Sequence, residues 1–398
     1  MHNYTIIGAG IVGLATAYQI LQKQPGARLL ILEKESDVSK HQTGNNSGVI
    51  HSGIYYKPGG LKALNCSKGY KLLLDFCDQN EIKYNLCGKV IVAIDEREVN
   101  YLDTLYERGI QNGLMGIRKL TADELKEIEP HANGIAALHV PQTGIIDFKE
   151  VSVKLRDLII ENGGEFKFNE EVVSIKKSNG GIEIITESSN YKTENLISCA
   201  GLHSDRITKM TNKEIPLRII PFRGEYYKLR ADKNYLVNTL IYPVPDPAFP
   251  FLGVHFTNMI DGGVEAGPNA VFAFKREGYS KFAFNFRDTF ESLSWRGFHK
   301  VMFKYWKTGL GEYYRSFSKM AFVKALRKLI PEIEASDLVV GGSGVRAQAC
   351  DIKGGLLDDF FIFEEKNIFH VCNAPSPAAT SSLAIGDYIA NKVLEYNS

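Results

Sequence analysis

The segment Gly8-Ala9-Gly10-Ile11-Val12-Gly13 constrains the fold of this chain more than any other. An apolar run over 4–7 precedes it and a helical periodicity over 11–22 follows. A second apolar run over 28–32 then leads to Glu33, twenty residues after Gly13. Strand, glycine turn, helix, strand and acid in that order form the βαβ unit that binds a dinucleotide. Gly8 permits the tight turn, and Gly10, with the amides of Ala9, Ile11 and Val12, lets backbone reach a pyrophosphate. Gly13 lets helix and sheet pack closely. The positive end of the helix attracts phosphate, and Glu33, followed by Lys34, is placed to meet a ribose diol. A glycine-rich turn with no ligand is the bland alternative, and the agreement of spacing and acid counts against it.

At 398 residues the chain exceeds the size at which single cores divide, so two lobes are expected. The net charge of +1 gives no argument for nucleic acid as a partner. The six cysteines form no CxxC pair and have no neighbouring His cluster, which argues against a metal site or disulfide framework and fits a reducing compartment. Residues 1–7 show no secretory pattern and no run approaches a membrane span, so the cytosol is the expected place.

The remaining pattern predicts a helix over 149–162 and a strand pair, 171–176 and 182–186, across the turn Ser178-Asn179-Gly180-Gly181. Alternating aromatic and polar residues over 215–271 predict an antiparallel sheet, and 282–329 reads as helices. A strand over 368–372, a loop and a helix over 381–393 close the chain. The fold class is α/β with an α+β second lobe: a Rossmann-like domain assembled from 1–80, 147–212 and 335–398, and a mixed antiparallel-sheet substrate domain from 81–146 and 213–334.

The fingerprint alone does not separate FAD from NAD. Leu196-Ile197-Ser198-Cys199-Ala200-Gly201 resembles the second cofactor contact of two-dinucleotide-domain flavoproteins, through Ala200 and Gly201. The loop Asn373-Ala374-Pro375-Ser376-Pro377-Ala378-Ala379-Thr380 opens a helix whose positive end suits a flavin pyrimidine, where negative charge collects on reduction. Ser376, Pro377, Ala378, Ala379 and Thr380 are therefore cofactor candidates, with Val172 at the head of the strand pair. Together these segments favour FAD, and an NAD-only dehydrogenase would leave the C-terminal loop without a task.

The run from His41 through Thr43, Gly44, Asn45, Asn46, Ser47, Gly48 and His51 to Tyr56 resembles the signature of the L-2-hydroxyglutarate dehydrogenase/oxidase family, among the D-amino-acid-oxidase-like flavoproteins. The likeness continues through Lys57-Pro58-Gly59 and recurs at Val254-His255-Phe256-Thr257, Gly267-Pro268-Asn269 and Gly344-Val345-Arg346-Ala347-Gln348. Asn45 departs from it, since members often carry His there. The resemblance implies a non-covalent FAD enzyme that oxidises L-2-hydroxyglutarate to 2-oxoglutarate and passes electrons to oxygen or a membrane quinone chain. It adds Thr43, Gly44, Asn46, Ser47 and Gly344 to the cofactor contacts.

Oxidising a 2-hydroxy acid requires a base for the hydroxyl proton and cations for the carboxylate. His255 and His51 are the candidate bases, against the commoner alternative of a satisfied core histidine. Arg346, delivered by Gly341-Gly342-Ser343-Gly344, is the preferred carboxylate clamp, its alternative being a structural pair with Asp351. A second, distal carboxylate needs further donors, for which Arg223 with Tyr226, or Lys57, are candidates. An amine or amino-acid oxidase on the same fold is the nearest rival. A non-catalytic FAD-fold binding protein is the rival from another class, and would not require His51, His255 and Arg346.

Between Trp295 and Lys328 cationic residues stand among Phe298, Phe303, Tyr305, Trp306 and Phe317, against one acid, Glu312. Such a stretch suits a peripheral contact with an anionic membrane. An amphipathic helix covering the substrate sheet is the reading the sequence favours, because the aromatics do not sort onto one face.

Overall fold

The computed structural model describes residues 1–178, 180–246 and 251–396. Asn179 of the expected turn and residues 247–250 of the expected sheet lie outside these.

The core of the first sheet is parallel, with His2–Ile7 between Leu29–Leu32 and Asn190–Ser198. Glu165–Lys167 extends one side, and Ile368–Asn373 runs parallel to the end of Asn190–Ser198. All four residues of Leu29–Leu32 are buried, as expected of a strand covered on both faces. Helices Ile11–Lys23, Phe148–Glu161 and Ser382–Glu395 supply Leu14, Leu155 and Ile389 to a core shared with Ile6 and Ile31. The expected strand pair forms as Val172–Ser178 and Gly181–Thr186, antiparallel.

Among the described residues the second sheet has nine strands. The longest, Leu217–Leu229, pairs along its length with Leu338–Asp351. The stretch expected in the cofactor domain from 335 therefore begins with a strand of the other sheet. Lys89–Ala93 runs parallel to Leu240–Pro243, which in turn pairs antiparallel with His255–Asn258. Side chains alternate across a strand. Val90, Ile241 and Phe256 therefore face one core, against Phe322 and Leu326 of the helix Lys319–Leu326. Lys89, Tyr242 and His255 face the other way, towards the first lobe's loops.

The helix Arg296–Phe317 is bent at Tyr305. It buries Phe298 and Val301 against Phe222, as a covering helix should. Its later part departs from that expectation, with Phe303 85% exposed and Trp306, Leu310, Tyr314 and Phe317 also exposed.

Candidate active site

A cavity of about 700 Å³ runs between the two sheets, lined by both. At one end stands the glycine turn. Gly8 adopts φ 103°, and a Cβ there would lie 2.6 Å from the Cys199 carbonyl oxygen. A Cβ on Gly13 would lie 2.1 Å from the Gly8 oxygen, so helix and turn meet this closely only because residue 13 is glycine. Gly10 caps the helix Ile11–Lys23 without a side chain of its own, which leaves its end open to the cavity. The Glu33 carboxylate accepts from the Ala9 amide at 2.7 Å and the Glu35 amide at 2.9 Å. Those bonds fix its orientation and leave lone pairs for a diol.

Gly8, Gly10, Ile11, Val12, Glu33, Lys34, Thr43, Asn46, Ser47, Val172, Ala200, Gly201, Gly344, Ser376, Pro377, Ala378, Ala379 and Thr380 all line this cavity. Ala9, Gly13 and Gly44 stand behind the wall. Ala9 holds Glu33, and a Cβ on Gly44 would lie 2.1 Å from the Ser39 oxygen. Thr43 Oγ1 accepts from the Ile11 amide at 3.1 Å, joining the two loops. Thr380 Oγ1 accepts from the His51 amide at 3.1 Å, joining the C-terminal loop to the other end. The helix Ser382–Glu395 begins beyond Thr380 with no side-chain cap, and the hydroxyls of Ser381 and Ser382 are buried without partners. A helix N-terminus at each of these two ends of one cavity fits an extended dinucleotide.

His51, His255, Arg346 and Tyr226 line the same cavity. The Gly253 carbonyl accepts a 2.8 Å hydrogen bond from His255 Nδ1. The proton therefore sits on Nδ1, and Nε2 carries the lone pair. Burial, aided by the charges of Arg346 and Lys89, pulls His255 down to about 3 and keeps it neutral. Burial does the same to His51, also to about 3, aided by Lys89, His255 and Lys62. Burial pushes the Tyr226 phenol up to about 12. Arg346 Nη1 is buried with no hydrogen-bond partner, and its guanidinium lies 5.5 Å from the Phe251 ring. The alternative pairing to Asp351 does not form: Asp351 accepts instead from the amides of Lys353 and Gly355 at 2.7 and 2.8 Å.

Arg223 is not in the cavity. Its guanidinium is held by Glu225 Oε1 at 3.1 and 2.9 Å and by the Ser280 carbonyl at 3.0 Å. Lys57 is exposed and also outside the lining. Tyr242, Phe251 and Lys62 line the cavity, and Lys89 sits behind Tyr242. Sequence reasoning missed these four. The signal for Lys89 was a lone cation opening the apolar run Lys89-Val90-Ile91-Val92-Ala93. A carboxylate–imidazole group, Glu35, His41 and Glu277, is compact enough to hold an ion. Lys34 already supplies positive charge there, 2.6 Å from Glu35 and 2.7 Å from Glu277.

The family model described as FAD dependent oxidoreductase matches residues 3–392. An L-2-hydroxyglutarate dehydrogenase of Indibacter alkaliphilus is 57% identical, with 98% of each chain covered. That of Escherichia coli strain K12 is 46% identical, covering 99% of this chain and 93% of its own. The human mitochondrial enzyme of the same name is 45% identical, covering 98% of this chain and 88% of its own. Among solved structures, L-alpha-glycerophosphate oxidase from Mycoplasma pneumoniae with FAD bound superposes with TM-score 0.79 at 22% identity, covering 99% and 94% of the two chains. Glycine oxidase from Geobacillus kaustophilus gives 0.74 at 15%, covering 99% and 95%. At those identities the structures speak for the fold alone.

Proposed function

Because the chain belongs to the FAD dependent oxidoreductase family and, within it, to the L-2-hydroxyglutarate dehydrogenases, we propose that it oxidises L-2-hydroxyglutarate to 2-oxoglutarate. The observation that carries this reading is the joint placement of an unpartnered buried guanidinium, Arg346 Nη1, and a free imidazole lone pair, His255 Nε2, in the cavity that holds the dinucleotide turn.

FAD, when bound, supplies the acceptor for the hydride leaving the carbinol carbon. Arg346 grips the adjacent carboxylate with its planar fork, which fixes the carbon in register. His255 accepts the hydroxyl proton at Nε2 while Nδ1 stays bound to the Gly253 carbonyl. In the free protein burial holds His255 neutral, and the charges of Arg346 and Lys89 add to it. A carboxylate seated on Arg346 cancels part of that push and makes the base more willing as substrate arrives. His51 is the second candidate base, and its backbone tie to Thr380 also suits it to positioning the cofactor loop. Tyr226, Tyr242 and Phe251 give the cavity an aromatic wall. Dye-coupled assay of L- and D-2-hydroxyglutarate, glycine and sarcosine tests the proposal. Turnover of the L-hydroxy acid alone is expected, whereas turnover of the amines in its place would move the chain to the amine oxidases.

The electrons pass in this reading to oxygen or a quinone chain, and the exposed aromatics support the quinone. Phe303, Trp306, Leu310 and Phe317 are exposed beside Arg296, Lys300, Lys304 and Lys307, a pairing suited to an anionic bilayer surface. Among the described residues no helix is long and apolar enough to cross a membrane, so this contact is peripheral. Salt-sensitive flotation with anionic liposomes is the expected result, and no flotation removes the membrane contact.

A further inference from the structure

Lys89 is 1% exposed, and its ammonium lies 4.5 Å from the centre of the Tyr55 ring and 5.0 Å from that of Tyr242. Among the described residues it forms no ion pair. Burial pulls the Lys89 amine down to about 7 and pushes the neighbouring Cys66 thiol up to about 12, so the thiol stays neutral and supplies no counter-ion. Ring faces attract a cation but do not replace a counter-ion. The Tyr55 hydroxyl beside it is also buried with no partner. An amine whose charged form awaits a counter-ion and a hydroxyl donor, both unanswered, thus stand together. The Tyr242 ring that covers Lys89 lines the cavity and lies 3.9 Å, centre to centre, from the His255 ring.

We infer that Lys89, with the Tyr55 hydroxyl, is the specificity-determining anchor for the distal carboxylate of a dicarboxylic 2-hydroxy acid. The inference rests on the proposed oxidation of L-2-hydroxyglutarate and deepens it. His255 and His51 are neutral, so among the described residues Arg346 and Lys89 are the basic groups near the imidazoles that have no carboxylate partner. A diacid answers both. A monoacid answers Arg346 and leaves Lys89 buried and unpaired, and a site built for a polar group discriminates against the analogue that lacks it. Burial opposes the charged form of Lys89 in the free protein, and a carboxylate beside it favours that form.

The experiment uses FAD-loaded protein and two non-oxidisable probes, glutarate and butyrate, whose binding is read from the flavin absorbance. Wild-type protein and Lys89→Met are compared, with Lys89→Gln as a second variant. Glutarate affinity is expected to fall about ten- to hundred-fold in the variants while butyrate affinity stays within about two-fold. The thermal midpoint is expected to hold or rise, since a buried amine without a partner has been removed. Equal loss for both probes, no loss for either, or a variant that does not fold or hold FAD overturns the assignment. Wild-type protein that binds glutarate and oxidises L-2-hydroxyglutarate, beside a variant that still prefers glutarate, sinks Lys89 alone. Wild-type protein inert to L-2-hydroxyglutarate sinks the parent reading as well.

Discussion

Replacing Arg346 by Met removes the one guanidinium that faces the candidate base from the cavity wall. Its Nη1 makes no hydrogen bond in the free protein, so little native interaction is lost there. What is lost is the charge-assisted pair with substrate, worth about 1.5–3 kcal/mol. At about 1.36 kcal/mol per decade, that is a fall of roughly 10- to 150-fold in kcat/KM. Arg346→Lys keeps the charge without the planar fork and should fall between wild type and Met. Stability should change little, because relief of a buried unanswered donor, about 1–3 kcal/mol, offsets lost packing against Phe251. Dye-coupled kinetics and thermal unfolding measure both quantities on the same preparation. Kinetics within two-fold of wild type, or a large loss of stability with normal kinetics, would refute the clamp.

His255→Asn should lower kcat by roughly 10² to 10⁴ while 2-oxoglutarate still binds, as measured by turnover and a flavin-perturbation titration. His255 and His51 are both held near 3 in the folded chain, against 6.5 ordinarily. The unfolded chain therefore binds more protons between those values, so stability falls as pH drops from about 6.5 towards 3. Each histidine contributes a slope of up to about 1.36 kcal/mol per pH unit, which His255→Asn should remove in acid unfolding. Gly13→Ala should abolish FAD retention through the turn, seen as loss of the yellow spectrum, because its Cβ has no space against Gly8. Arg223→Met should destabilise by about 3 kcal/mol or more in denaturant, since Glu225 loses its buried partner, yet leave KM unchanged.

The cofactor end was legible because its chemistry is local. Strand, turn, helix and Glu33 are contiguous in sequence, and the structure brings Gly8, Gly10, Glu33 and the C-terminal Ala378–Thr380 stretch onto one cavity. The substrate end is built from pairings far apart in the chain, and those were not legible. Arg223 and Arg346 show why. In the register of their strands Phe222 pairs with Arg346 and Arg223 with Val345. Paired residues share a face and neighbours alternate, so Arg346 looks into the cavity and Arg223 looks away. No local pattern reveals that offset. Lys89 comes to lie behind Tyr242 only because Lys89–Ala93 runs parallel to Leu240–Pro243, a pairing across about 150 residues. The aromatic stretch failed differently. Its helix bends at Tyr305, burying Phe298 and Val301 before the bend and the polar Glu312 and Ser316 after it, so the exposed Phe303, Trp306 and Leu310 follow no single apolar face.

Anaerobic mixing of the purified, FAD-loaded protein with L-2-hydroxyglutarate, followed by flavin absorbance, tests the central claim most directly. Rapid bleaching with this enantiomer, and none with the D form or with glycine, is the predicted result. A yellow protein that stays oxidised with L-2-hydroxyglutarate and bleaches with an amine would contradict it.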